Sequence, residues 1–138
     1  SEFCYDVLFH DQNYQHNCQT LCEKGPSVVI FTFGADGCAG YGRDCGGFRL
    51  PAYQVPVVDT TGAGDVFHGA YLAGVVRGLD PIASARLATA TACIKCTRMG
   101  GRAGVPDWNT VQEFLKSGRV DYSEIDRRAE FYAQRLQL

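Results

Sequence analysis

The chain has 138 residues, a net charge of −2 and ordinary globular proportions, with 46% hydrophobic and 20% charged residues. This length fits one domain with its own hydrophobic core. The near-neutral charge argues against a nucleic acid or an anionic membrane as partner. The longest apolar run, residues 28–33, is far shorter than the roughly 20 residues that cross a bilayer. We therefore expect neither a transmembrane helix nor a signal peptide.

Seven cysteines are a high count for this length. Cys18 and Cys22 are four residues apart, as on one helical face, and Cys93 and Cys96 form a C-x-x-C pair. A zinc site needs four ligands in compact groups, whereas the remaining cysteines are scattered. A redox C-x-x-C pair is expected at an exposed helix start, but this pair lies late in an apolar helical stretch. The sequence therefore favours buried thiols in a reducing compartment over either alternative.

The first half of the chain predicts a helix followed by β-structure. Apolar residues recur on one helical face over residues 11–24, with Asp11 as the candidate N-cap. Residues 28–33 are β-branched and aromatic and are bounded by proline and glycine, which predicts a buried central strand. The glycine-rich stretch that follows predicts tight turns and short strands at 38–41 and 48–55.

The second half predicts four helices. The stretch 66–76 is apolar on most faces, which predicts a buried helix. Asp80 and the proline after it predict the start of another helix, which runs to about residue 97. Asp107 is a candidate cap for a short helix, and the last helix, about 122–136, has a charged face that we expect to be solvated. This order of elements indicates an α/β layered domain, in which ligands bind beyond the carboxyl ends of the strands.

The loop at residues 59–65 carries the strongest chemical signal. Gly62 and Gly64 permit backbone angles that let successive N–H groups point at one spot, and a helix that begins near Gly64 adds its positive dipole end. Asp65 at the edge of this anion site is placed to accept a proton from an attacking hydroxyl. The loop therefore suggests phosphoryl transfer to an alcohol. The alternative is a glycine-rich turn in which Asp65 only begins a helix.

Three segments resemble signatures of the PfkB (ribokinase) family of carbohydrate kinases, in the order of that family. In chain order they are Thr32-Phe33-Gly34-Ala35-Asp36-Gly37, Asp59-Thr60-Thr61-Gly62-Ala63-Gly64-Asp65 and Cys96-Thr97-Arg98-Met99-Gly100-Gly101. The resemblance extends over about residues 1–116. It implies a partial ribokinase-like layered fold with a central, mostly parallel sheet flanked by helices. Residues 1–138 would form a single domain, the C-terminal nucleotide-binding half of such a kinase, without the N-terminal sugar-binding half and lid.

The resemblance also implies roles for individual residues. Asp65 would be the catalytic base, and the anion hole would be formed by Gly62, Ala63 and Gly64. The residues implied in ATP binding are Thr32, Gly34, Gly37, Gly64 and Ala88. A monovalent cation, potassium, would be held by Asp59 and Thr61 together with the backbone near Lys95, Arg98 and Gly100, while Mg²⁺ would arrive with ATP.

The resemblance implies a cytoplasmic, ATP-dependent kinase with a small sugar as substrate. The chain could pair with its missing half or form a homo-oligomer, and the isolated chain is expected to be inactive. Two alternatives remain open: a standalone module that binds ATP or ADP without chemistry, and a nucleoside kinase of the same family. The identity of the acceptor is not encoded here, because its contacts would lie mainly in the missing half.

Overall fold

The structure is a computed structural model that describes residues 1–136. The elements are α1 (Glu2–Leu8), α2 (Tyr14–Cys22), β1 (Val28–Thr32), β2 (Cys38–Gly42), β3 (Gly46–Leu50), α3 (Ala63–Val76), α4 (Pro81–Lys95), α5 (Trp108–Ser117) and α6 (Ser123–Leu136). Residues 51–58 have no regular structure, so the second predicted short strand ends at Leu50 rather than at residue 55.

The three strands form one antiparallel sheet in the order β1-β2-β3. The structure therefore does not show the expected central, mostly parallel sheet, because no strands pair in parallel within residues 1–136. The reason lies in the short connections at 33–37 and 43–45, because a parallel pair needs a crossover of a dozen or more residues. Among residues 1–136, β1 lies at the edge of the sheet and is mostly half-buried, so the prediction of a buried central strand at 28–33 is wrong.

The sheet separates two layers of helices. Alternate strand residues point to opposite faces, so Phe31 and Ala39 pack with Tyr5 and Cys18 of α1 and α2. Cys38, from the other face, belongs to a second buried cluster with residues of α3 and α4. The α/β layered class predicted from the sequence is thus observed, with helices on both faces of the sheet.

The helix predicted over 11–24 begins later than expected. Asn13, not Asp11, is the N-cap of α2, and its Oδ1 accepts a hydrogen bond from the N–H of His16. The Asp11 carboxylate instead accepts from the N–H of Asn13 and from Nδ2 of Asn17. Asp11 therefore fixes the turn before the helix. The preceding helix α1 was not predicted from the sequence.

Helices α3 and α4 differ in burial although both are apolar. Only Phe67 and Gly74 of α3 are buried, while Leu72 and Val76 are 61% and 84% exposed. The prediction that this helix is buried is therefore wrong, because α3 packs mainly on α4 and leaves its other face open. Helix α4 is buried along most of its length and ends at Lys95, close to the predicted residue 97.

A third buried cluster joins α4 to α5 and α6. Its buried members are Leu87, Ala90, Ile94, Val111, Phe114 and Ile125. Asp107 caps α5 as predicted, with its carboxylate accepting from the N–H of Thr110. No helix within residues 1–136 is both long and apolar enough to cross a bilayer.

Candidate active site at the start of α3

The loop before α3 is fixed by the carboxylate of Asp59. Oδ1 accepts from the N–H of Thr61 at 2.9 Å, and Oδ2 accepts from the N–H of Gly100 at 2.7 Å. Hydrogen bonds from Thr61 and then from Gly100 lower the pKa of Asp59 to about 2. This carboxylate is therefore ionised at neutral pH, and it joins the loop to the segment that follows α4.

The first turn of α3 has free hydrogen-bond donors. Gly62 is the N-cap with a φ of 74°, a left-handed conformation that favours glycine, and it has no side chain to cap the helix. The Ala63 N–H donates to the Thr60 carbonyl at 3.0 Å, whereas the N–H groups of Gly64 and Asp65 meet no acceptor among residues 1–136. Unpaired donors at a helix N-terminus form an anion site.

Asp65 lies beside these donors and is exposed. Its carboxylate makes no ion pair within the described part of the chain. One turn later, Nδ1 of the exposed His68 is 2.7 Å from the Gly64 carbonyl oxygen. That contact turns the ring back along the helix, toward the turn that contains Asp65. An exposed carboxylate next to unpaired N–H groups can accept a proton from a hydroxyl that attacks an anion held there.

The underside of the loop rests on the end of α4. The Cys96 carbonyl accepts from the N–H groups of Val58 and Asp59, at 2.8 and 3.1 Å. Lys95 is fully buried, and its Nζ donates to the Asp59 carbonyl oxygen at 2.8 Å. The last turn of α4 therefore holds both the backbone before Asp59 and the carbonyl of Asp59 itself.

The segment after α4 is anchored by α6. Nε of Arg98 donates to Asp126 at 2.5 Å, and its guanidinium lies 4.2 Å from the centre of the Tyr122 ring. Arg128 donates to the carbonyl of Val105 at 2.7 Å. The charged face of the last helix, which we expected to be solvated, is thus only partly so at Asp126 and Arg128, because both are half-buried and hold this segment in place.

The predicted ATP-side residues fall into two environments. Thr32 ends β1, and Gly34, which is exposed, begins a 3-10 turn that closes at Gly37. A Cβ at Gly37 would lie 2.0 Å from the Leu50 carbonyl oxygen, so close packing on β3 explains this glycine. Ala88 has no accessible surface and belongs to the buried cluster under α3. The structure therefore leaves Gly34 accessible to a ligand and encloses Ala88.

The residues predicted to hold a monovalent cation do meet. Asp59 contacts Gly100 through its carboxylate and Lys95 through its carbonyl, and the Arg98 N–H donates to the Lys95 carbonyl at 3.2 Å. Thr61 follows in the same loop. The family resemblance implied a role only for the backbone near Lys95. The hydrogen bond from its side chain to Asp59 was not predicted. The other buried positions of α4 hold small or apolar residues. A lysine among them was the signal in the sequence that its side chain has a specific contact.

A groove opens beside Gly100, between this segment and α6. It measures about 1120 Å³, and its walls include Val58, Met99, Arg102 and Tyr132. The walls are mostly apolar with a few polar groups, as in sites for small organic ligands. Because Val58 and Gly100 line it, the groove lies next to the loop of Asp59.

The cysteines form no second site. Four of the seven, Cys18, Cys22, Cys38 and Cys96, are buried, as the sequence predicted, and burial raises the pKa of each of these thiols, that of Cys18 to about 11. Burial also raises the pKa of the half-buried Cys93. A reactive pair needs a lowered thiol pKa. No group of three or more metal-binding side chains occurs among the residues described.

Comparison with known proteins places these features in a family. The family model of the pfkB family carbohydrate kinases matches residues 7–108. A ribokinase from Lactococcus lactis is 31% identical over 116 residues, which are 78% of this chain and 38% of that protein. A nucleoside kinase from Methanothermobacter thermautotrophicus is 33% identical, with 74% of this chain and 35% of that protein covered.

A solved structure is also similar. The ribokinase from Arabidopsis thaliana, complexed with ribose and ATP, has a TM-score of 0.65 and 29% identity, with 73% of this chain and 33% of that chain covered. The chain therefore spans about a third of the length of the relatives it matches. Because the family model matches most of the chain and includes the loop of Asp59 and Asp65, this chain belongs to the pfkB family of carbohydrate kinases.

Proposed function

We propose that this chain supplies the nucleotide-binding and phosphoryl-transfer part of an ATP-dependent sugar kinase. The observation that carries the proposal is the first turn of α3, where the unpaired N–H groups of Gly64 and Asp65 lie beside an exposed carboxylate. Phosphoryl transfer requires positioning and charge stabilisation more than covalent chemistry from the protein. An anion site with an adjacent base meets both needs.

Each group in the turn has one task in this mechanism. The γ-phosphate of ATP would lie at the start of α3, where the N–H groups and the helix dipole stabilise the negative charge on its oxygens. Asp65 would accept the proton of the sugar hydroxyl as the oxygen attacks phosphorus and ADP leaves. Gly62 turns the backbone so that these donors face outward, while the Ala63 N–H, which donates to Thr60, helps to close the turn.

The nucleotide would extend from this turn toward the accessible part of the predicted ATP side. Gly34 is open to a ligand at the end of β1, and the groove beside Gly100 is large enough for the nucleoside part of ATP. Magnesium would be bound through the phosphates and keep several waters, as is usual for this ion. The ribokinase complex with ATP supports ATP as the phosphoryl donor.

The first test is calorimetric titration of the chain with MgATP, for the wild type and for Asp65→Asn. We expect saturable binding of similar affinity in both, because the neutral amide removes a base and no phosphate ligand. Absence of binding in a folded sample would refute the nucleotide site. Much tighter binding by the variant would show that Asp65 repels the phosphates, consistent with its place beside them.

Turnover is measured in the longest form of the protein that can be expressed, with sugars and nucleosides as acceptors. Asp65→Asn should lower kcat by roughly 10²–10⁴-fold, the usual contribution of a general base. Unchanged turnover would refute the role of Asp65. His68→Gln, which alters the neighbouring side chain and keeps the carboxylate, is the matched control.

A nucleoside kinase is the second candidate, favoured by the match to the archaeal nucleoside kinase. The two candidates share the phosphoryl-transfer turn and differ only in the acceptor. The same turnover assay separates them, because phosphorylation of nucleosides with no activity on free sugars would select the second. Nucleotide binding with no turnover on any acceptor would instead support a binding module without chemistry.

A further inference from the structure

The side chain of Lys95 is a buried positive charge under the proposed phosphoryl-transfer turn. It is 0% exposed, and its Nζ donates to the Asp59 carbonyl oxygen at 2.8 Å. No carboxylate within residues 1–136 forms an ion pair with it. A buried ammonium normally has a charged partner or several acceptors. The hydrogen bond from Nζ to a backbone carbonyl oxygen therefore needs an explanation.

The surroundings of Nζ are those of a cation site. It lies at the end of α4, where the helix dipole favours a positive charge. The Asp59 carboxylate is close enough for the Lys95 charge to contribute to its lowered pKa. The same residue thus offers a carbonyl oxygen in direct contact and an ionised carboxylate nearby.

The residues present do not fit a free potassium ion at this place. The carbonyl of Asp59 already accepts from Nζ, and its two carboxylate oxygens accept from Thr61 and Gly100. A Cβ at Gly104 would lie 2.3 Å from the Lys95 carbonyl oxygen, so the backbone of Gly104 covers that oxygen and supplies no side-chain ligand. A second cation bound to these oxygens would also be repelled by the ammonium.

We propose that the ammonium of Lys95 takes the place of a monovalent cation and makes the turn before α3 independent of potassium. Lys95 is then a positioning residue, and this inference rests on the proposed function for its effect on ATP. The charge is attached to α4, so it cannot dissociate and needs no ion from solution. It holds the Asp59 carbonyl, and through Asp59 it fixes the amides of Thr61 and Gly100.

The test compares salts at equal ionic strength, potassium chloride against tetramethylammonium chloride, with two readouts on the 138-residue chain. Amide hydrogen exchange at Thr61 and Gly100 reports the order of the turn and needs no nucleotide. MgATP titration reports the affinity. For the wild type we expect both to agree between the salts to within about twofold, since screening is matched. A potassium-specific gain of tenfold or more, on the order of 1.4 kcal/mol, would overturn the proposal.

Two variants separate the charge from the volume of the side chain. Lys95→Ala removes the ammonium and leaves room, so exchange at Thr61 and Gly100 should accelerate by roughly tenfold or more and be restored by potassium. Lys95→Met removes the charge and fills the space, so exchange should accelerate without rescue. Protection equal to the wild type in Lys95→Met would refute the proposal.

The outcomes remain informative if parts of the experiment fail. If Lys95→Ala does not fold, the salt comparison on the wild type and on Lys95→Met still tests whether the ammonium of Lys95 takes the place of potassium. If the wild type binds no MgATP, the proposed function fails, while the exchange data still show whether Lys95 replaces a potassium ion.

Discussion

Helices α3 and α4 pack against each other, and both are apolar in sequence. Their first turns differ in whether a side chain caps the free N–H groups. Asp80 caps α4, with its carboxylate accepting from the Ala83 N–H at 2.8 Å. Gly62, the N-cap of α3, has no side chain that could accept from the first N–H groups of that helix. A capped helix start has fewer donors to offer, whereas an uncapped start keeps them for a ligand. The start of α4 is therefore satisfied within the chain, whereas the start of α3 keeps the free donors on which the proposed function depends.

Burial follows the same division. Nine residues of α4 are buried, against two of α3. Helix α4 lies between the sheet cluster and the cluster of α5 and α6, while α3 packs on one side only. Four substitutions test this difference between the two helices.

The largest effect is expected in α4. Ile94→Ala removes a fully buried side chain from the cluster shared with α5 and α6. The lost contacts and the cavity should lower the free energy of unfolding by about 2–5 kcal/mol. Urea denaturation followed by circular dichroism measures this change. Val76→Ala at the exposed end of α3 is the control, and equal losses in the two variants would contradict the contrast.

The contact between the two helices should give the next largest effect. A Cβ at Gly74 would lie 2.8 Å from Oγ of Ser84 and 3.1 Å from its Cα. Gly74→Ala should therefore separate α3 from α4 and cost about 1–3 kcal/mol, despite the better helix propensity of alanine. Gly69→Ala, in the same helix with nothing within 4 Å of the new Cβ, should instead stabilise by roughly 0.5–1 kcal/mol. The opposite signs are read from two thermal unfolding curves.

The cap of α4 should have a moderate effect. Asp80→Ala removes the acceptor for the Ala83 N–H and should cost about 1 kcal/mol. Asp80→Asn keeps an oxygen at the same place and is expected to recover most of the loss. If chemical denaturation shows that Asp80→Ala is neutral, the cap contributes nothing, and the contrast with Gly62 loses its energetic basis.

The smallest effect is expected on the open face of α3. Leu72→Gln replaces a side chain that is 61% exposed, and surface substitutions usually change stability by less than about 0.5 kcal/mol. Denaturant midpoints at two protein concentrations measure the change. A larger, concentration-dependent loss would show that this face is covered by association in solution.

The sequence predicted the elements whose boundaries depend on local chemistry. Asp80 followed by proline and Asp107 before Trp108 each provide a cap and a start, and α4 and α5 begin where expected. The N-cap of α2 was misplaced by two residues, because Asp11 and Asn13 are both good caps and the side chain of Asn17 binds Asp11. Local propensity cannot choose between two neighbouring caps when a side-chain contact from within the helix decides.

Like the helix boundaries, the candidate site was predicted only in part from the sequence. The order of the family signatures identified the loop of Asp59 and the turn of Asp65, and the model of the pfkB family confirmed the family. The roles of Asp65, of the anion hole and of the ATP-side residues remain predictions. The side chains of Lys95 and Asp126 were not recognised, because each acts on a segment far away in the sequence, Asp59 and Arg98 respectively.

Residue types at short spacing were enough to predict the family, the α/β class, the caps of α4 and α5 and the loop at the start of α3. The antiparallel sheet, the open face of α3 and the buried lysine under the loop became apparent only from the packing of the chain. Those features depend on which distant segments meet. An apolar helix is stable either buried or half-covered, and a lysine can be solvated or enclosed, until packing fixes one of the two states.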